Sequence, residues 1–208
     1  MARSCSTSVS SASSSLTDAL RGVLLDPAEA TALPVHGRVA AAVLVALYVE
    51  HAQLHAIFTR RRRDLRSHPG EISFPGGRRD EGEHDLSLTA LREAEEEIGL
   101  QRGDVQLLGA LAPVGTIATN YAVYPFVGMI EPGGTWTPSA SEVDEVLELR
   151  LADLRAARTR RRLVHRGIPF RTDVYDVGEG LVIWGATARI VGDLLARVEP
   201  MLGSGAAA

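Results

Sequence analysis

The sequence predicts a single α/β domain organised around one central helix, and three observations carry that expectation. Residues 86–98 contain neither Pro nor Gly, are rich in Leu, Ala and Glu, and run into Gly99, a residue suited to ending a helix. Short apolar runs at 40–48, 54–59, 105–111 and 122–130 lie on both sides of that helix and have the length and make-up of strands. An amphipathic stretch at 186–198 supplies a closing helix.

Taken in order, the 208 residues are 45% hydrophobic with a net charge of −4, which suits one folded unit with ragged ends. We expect a disordered Ser-rich tail at 1–16, a single domain at 17–200 and a flexible tail at 201–208. The first stretch lacks the continuous apolar segment of a secretory signal, and no window approaches the apolar length that crosses a membrane. The one cysteine, Cys5, cannot form an internal disulfide, which fits a cytoplasmic location. All 22 basic residues are arginine, a mark of coding bias rather than of a binding surface. The acidic total and the lack of an RNA- or DNA-binding module argue against nucleic acid as a partner.

Thr17–Leu25 suits a short helix, with Asp26-Pro27 ending it or opening the next turn. The runs at 40–48 and 54–59 are expected as two buried strands joined by a polar turn, followed by the Arg60–Arg63 cluster. A loop over Pro113–Tyr121 separates the strands at 105–111 and 122–130 and is placed to line a pocket beside the helix. Residues 142–146 alternate acidic and apolar, as a half-buried strand edge does, and bring Glu142 or Glu145 within reach of the site. Leu151–Ala157 is expected as a helix, 158–162 as a basic patch, 170–175 and 180–184 as a last hairpin, and Trp184 as a core residue.

The chemistry concentrates on the central helix. At about 100° per residue, Leu88, Leu91, Ala94 and Ile98 fall on one side while Glu93, Glu96 and Glu97 share an arc of about 100° on the other. Glu95 lies nearer the apolar side, as a rim residue. Arg92 stands four residues before Glu96, where it can pair with and orient that carboxylate. Clustered like charges repel, so the arc needs compensation from Arg92, from solvent or from bound cations. Oxygen-only ligands favour hard ions, and magnesium takes one or two carboxylates together with waters and substrate phosphates. Gly76 and Gly77, which carry no side chain, let the preceding turn approach a metal or a phosphate closely.

Gly77, Glu83, Arg92, Glu93, Ala94, Glu96, Glu97, Gly99 and Leu100 resemble the Nudix box: a glycine, an acidic residue six positions on, then Arg-Glu-apolar-x-Glu-Glu-x-Gly-apolar. Eight residues rather than seven separate Glu83 from Arg92, an extension typical of the coenzyme A branch of that family. Upstream, Ile57, Phe58, Thr59, Arg61, Arg66, Gly70 and Phe74–Gly77 are similar to the second motif of Nudix coenzyme A diphosphatases, with Arg62 where Ser or Ala is usual. Tyr121–Pro125, Val127-Gly128 and Ile183–Ala188 look like the same branch. The resemblance covers residues 40–198 and implies the Nudix fold, a mixed β-sheet sandwiched between α-helices. It implies hydrolysis of the pyrophosphate of coenzyme A or acyl-CoA to 3',5'-ADP and 4'-phosphopantetheine or its acyl form. Magnesium or manganese would be held by Glu93, Glu96, Glu97 and Gly77, with Glu93, Glu96 and Arg92 as catalytic residues. The general base stays open between Glu93, Glu96 and a downstream residue such as Glu142. Arg61, Arg66, Gly76 and Tyr121 are the expected substrate contacts, Tyr121 by stacking on adenine. The expected partner is therefore a small molecule, with neither nucleic acid nor membrane, and a homodimer is left open. Competing expectations are a Nudix hydrolase for ADP-ribose, NADH or a dinucleoside polyphosphate, and a catalytically silent nucleotide-binding protein.

Overall fold

The computed structural model describes residues 7–65, 68–116, 119–165 and 168–202. Helix α1 (Thr7–Val23) begins inside the stretch expected as a disordered tail. Its Ser-rich sequence is anchored from the other end, where Leu20 is fully buried and Leu16 packs against the same core. Asp26 caps the short α2 (Pro27–Ala32) by accepting from the N–H groups of Ala28 and Glu29, so Asp26-Pro27 opens a helix.

Strands β1 (Val39–Glu50) and β2 (Gln53–Arg61) form an antiparallel hairpin, but only Leu47–Glu50 and Gln53–Ala56 pair. Toward the other end of the hairpin the two strands part. There β3 (Ile72–Ser73) pairs with β2, and β4 (Gly76–Arg78) pairs with Ala41–Val43 of β1. The splayed hairpin thus admits the Phe74–Gly77 turn into the sheet. Phe74 is buried in it, its ring stacked on that of Phe58 with centroids 4.4 Å apart.

Helix α3 (Leu86–Ile98) follows, with Asp85 as N-cap and Gly99 as a left-handed C-cap at φ 74°. Then come β5 (Gln106–Ala110), β6 (Val114–Gly115) and β7 (Tyr121–Met129). β7 lies parallel to β1 from the Val39–Tyr121 pair to Leu47–Met129, while β5 and β6 pair with β7 antiparallel. β8 (Val143–Arg150) lies antiparallel along β2. The result is a mixed sheet with β1 in its interior. Val45 and Leu47 of β1 face a core that includes residues of α1, α4 (Leu151–Ala157) and α5 (Gly185–Val198), whereas Ala42, Leu44, Ala46 and Tyr48 face α3. Burial on both faces explains why this stretch is an almost unbroken apolar run. The expected mixed sheet between helices is what the chain forms.

Three local expectations are corrected. Leu88, placed on the apolar side of the helix, is 50% exposed, because the buried stripe of α3 runs through Leu86, Ala90, Leu91, Ala94, Glu97 and Ile98. The basic patch at 158–162 is part of a strand, β9 (Arg158–His165), in a second sheet with β10 (Ile168–Asp176) and β11 (Val182–Ile183). Cross-strand ion pairs Arg158–Asp173 and Arg161–Asp176, each 2.7 Å, accompany a strand whose first five residues carry no apolar alternation. Trp184 is half-buried at the start of α5 rather than in the core.

Candidate active site

The Gly76-Gly77 turn lies against the face of α3 that carries Glu93 and Glu97. Register fixes this: Gly77 pairs with Ala42 and Gly76 with Val43, while α3 packs on β1 and β4. A Cβ on Gly77 would overlap the carboxylate of Glu93, and one on Gly76 would strike the Ala42 carbonyl. Gly76 therefore requires glycine for its close approach to β1, while a side chain on Gly77 could be accommodated only by moving the Glu93 carboxylate.

Glu97 is only 5% exposed. It accepts one hydrogen bond, from the N–H of Gly76 at 3.2 Å, and its other oxygen stands 3.9 Å from Nη1 of Arg61. Glu93 is held by Arg92 at 2.9 Å. Glu96, expected in the same arc, is 58% exposed on its side chain and meets Arg92 at 3.1 Å, so it stands at the outer edge of the group. Glu95 pairs with Arg102 at 2.8 Å, in keeping with a rim position.

Arg92 is the hub. Besides Glu93 and Glu96 it donates to Glu83 at 2.9 Å and to the Arg78 carbonyl at 3.2 Å. Glu83 also accepts from Thr89 and from the Asp80 N–H, so it anchors the loop and Arg92 rather than facing Glu97. A segment running from Ile130 to Glu142 straps over the end of α3, with Thr137 and Ser139 donating to the carbonyls of Ile98 and Glu97. Arg62 ties down its far end through its own N–H to the Glu142 carbonyl at 3.0 Å and its guanidinium to the Ala140 carbonyl. Glu142 thereby reaches Arg61 at 3.6 Å, whereas Glu145 turns to Arg60 at 2.7 Å. Arg62, the departure from the motif, thus anchors the strap, a contact not legible in the sequence because a run of arginines gives no sign of which member faces a carbonyl.

Of the remaining expected contacts, Arg66 lies outside the described residues. Tyr121 is half-buried at the start of β7, opposite Val39, and its backbone bonds to Thr116. Pro113 and Gly115 of the expected pocket loop, with Pro34, Val35, His36 and Arg189, line a cavity of about 520 Å³ that includes neither Tyr121 nor the α3 glutamates.

Burial pushes the Glu97 carboxyl up to about 7, offset in part by the Gly76 N–H and reinforced by the charge of Glu93. Glu93 is raised as well, by burial, with Arg92 opposing. Glu83 moves the other way, down to about 2, through its hydrogen bond to Arg92. A folded-state value above the ordinary 4.5 means that the native state of the metal-free protein holds the Glu97 proton more tightly than the unfolded chain does. Its contribution is therefore full below about pH 4.5 and lost as pH rises toward 7. Glu83 does the reverse, its contribution vanishing as pH falls from 4.5 toward 2. In chelator, thermal melting between pH 4.5 and 7 is expected to fall more steeply for the wild type than for Glu97→Gln. Parallel curves for the two proteins would show that Glu97 is not desolvated.

The NUDIX domain profile matches residues 38–170, more than half of the chain. The chain belongs to the Nudix family. A relative described as uncharacterized Nudix hydrolase NudL, from Photorhabdus laumondii, is 37% identical over 145 residues, covering 69% of this chain and 76% of the relative. One of the same description from Pectobacterium atrosepticum is 35% identical over 167 residues, covering 80% and 86%. Among solved structures, a MutT/nudix family protein from Enterococcus faecalis superposes with TM-score 0.54 at 14% identity, covering 81% of this chain and 65% of that one, a likeness of fold.

Nudix hydrolases generally use divalent metal ions, and the residues present fit one. Among the described residues Glu97 is a buried carboxylate with one hydrogen bond and a guanidinium beyond bonding distance, and the carboxylates of Glu93 and Glu142 are close enough to act on it by charge. Among the described residues no three His, Cys, Asp or Glu side chains form a ready-made cage.

Proposed function

We propose that this Nudix hydrolase splits the pyrophosphate bond of coenzyme A or acyl-CoA, releasing 3',5'-ADP and 4'-phosphopantetheine or its acyl form. The observation that carries the hydrolytic part is the buried, under-compensated Glu97 beside Glu93 and the Gly76-Gly77 turn. Support for coenzyme A rests on the second motif, whose Arg61 stands at the same corner, 3.9 Å from Glu97.

Water adds to one phosphorus, the bridging P–O bond breaks, and each fragment leaves as a phosphomonoester. The obstacle is charge, since an anionic diphosphate repels an incoming nucleophile. Glu93 and Glu97, with Glu96 at the edge and the Gly77 backbone alongside, would hold magnesium or manganese, which would supply an acidified water and charge to offset the phosphate oxygens. Arg92 fixes the orientation of Glu93, and Glu83 fixes Arg92. Glu93, Glu96 or Glu142 takes the proton from water. Arg61 and Arg66 offset substrate charge, the Gly76 backbone contacts it, and Tyr121 stacks on the base.

A product assay tests this reading. Purified protein with magnesium is given coenzyme A, acetyl-CoA, ADP-ribose, NADH and dinucleoside polyphosphates, and products are identified by mass. Phosphopantetheine release from coenzyme A at the highest kcat/KM of the panel is expected. Preferential turnover of ADP-ribose or NADH would move the substrate to another nucleoside diphosphate derivative, and no turnover of any would leave a nucleotide-binding role.

A further inference from the structure

Arg61 is the last residue of β2 and projects between two carboxylates on different elements, Glu97 of α3 at 3.9 Å and Glu142 of the strap at 3.6 Å. Neither distance is a hydrogen bond. Its neighbours in sequence are firmly bound: Arg60 to Glu145 at 2.7 Å and Arg62 to Asp64 at 2.6 Å. Among the described residues Arg61 is thus held by charge rather than by directed bonds, in the corner where the Glu97 carboxylate is buried with one hydrogen bond. A guanidinium and a divalent cation cannot both neutralise that carboxylate without repelling each other.

We propose that Arg61 is the resident counterion of the Glu97–Glu142 corner, competes with the divalent cation for it, and is transferred to the substrate diphosphate once that cation is bound. This rests on the metal-dependent reading above and adds a coupling to it. With the corner neutralised by the ion, the guanidinium loses its reason to stay and is free to fork onto phosphate oxygens. Arg61 then contributes to diphosphate affinity only when metal is present, and it weakens metal binding when substrate is absent.

The test measures Mn²⁺ binding by the EPR signal of the free ion, with no turnover involved. Without nucleotide, Arg61→Met is expected to bind Mn²⁺ about tenfold more tightly than wild type, while Arg61→Lys, which keeps the charge, stays within about threefold. With α,β-methylene-ADP as the diphosphate probe, Arg61→Met is expected to change affinity less than about threefold in chelator and to weaken it about tenfold or more at saturating Mn²⁺. Unchanged or weaker Mn²⁺ binding by a natively folded Arg61→Met protein overturns the proposal, as does equal tightening in Arg61→Lys. Should Arg61→Met not fold, the Arg61 Nε–H resonance of wild-type protein decides: it shifts on adding Mg²⁺, and a stationary resonance overturns the transfer. Wild-type protein that binds no Mn²⁺ at all removes the metal-dependent reading itself, a different outcome from a wild type that binds while the variants show no competition.

Discussion

Glu97→Gln is expected to abolish turnover while leaving the metal-free protein at least as stable as wild type. The two halves of that expectation have one cause. Glu97 is 5% exposed and has one hydrogen bond, from the Gly76 N–H at 3.2 Å, which the amide oxygen of Gln can equally accept. What Gln removes is the negative charge, and in the metal-free fold that charge is a burden, as the upward shift to about 7 records. At pH 8 in chelator the melting temperature is therefore expected to hold or rise, with an upper bound of about 3 kcal/mol of relieved desolvation. Hydrolysis depends on the same charge to hold a cation, so kcat/KM is expected to fall on the order of a thousandfold or more. Steady-state kinetics with coenzyme A and magnesium, beside thermal melts in EDTA, measure both. Activity within tenfold of wild type would sink the metal site, and a large drop in melting temperature would show that Glu97 serves the fold instead.

The central helix was legible because its signals are local: an uninterrupted run of helix formers, then Gly99. The helical wheel placed Glu93, Glu96 and Glu97 on one arc but carried no information on which of them is covered. Coverage is decided by β4 and by the strap from Ile130 to Glu142, whose Ser139 docks on the Glu97 carbonyl, contacts between residues far apart in sequence. The same tertiary choice rotated the buried stripe away from Leu88 and toward Glu97. Strand β9 was hidden for a different reason. Arg158 and Arg161 pair with aspartates of the next strand, so charge pairing stands in part for the hydrophobic alternation by which strands are recognised. Glu83 could be placed in the motif but not given a task, since its partners Thr89 and Arg92 become neighbours only when the acidic loop folds back on α3.

Gly77→Ala is the second large effect, and it acts through shape alone. The methyl group would overlap the Glu93 carboxylate, and β4 cannot move aside because Gly77 is paired with Ala42 and Arg78 with Ala41. Glu93 must therefore swing away. Doing so breaks its 2.9 Å contact with Arg92 and separates it from Glu97, so the pair no longer addresses one ion. The expected loss is about a hundredfold or more in kcat/KM, with Mn²⁺ binding weakened in parallel, since a displacement of about 1 Å at reacting groups has that scale of consequence. Only the movable end of the Glu93 side chain is displaced, so the unfolding midpoint in chemical denaturation is expected to stay close to wild type. Gly103→Ala is the matched control: nothing lies within 4 Å of its new methyl group, and activity and unfolding midpoint are expected to match wild type. Equal activity in both variants would mean that the Gly77 backbone and the Glu93 carboxylate do not share the reacting volume. A loss confined to Gly77→Ala, with folding largely kept, ties the close approach at this turn to the cation that the glutamates hold.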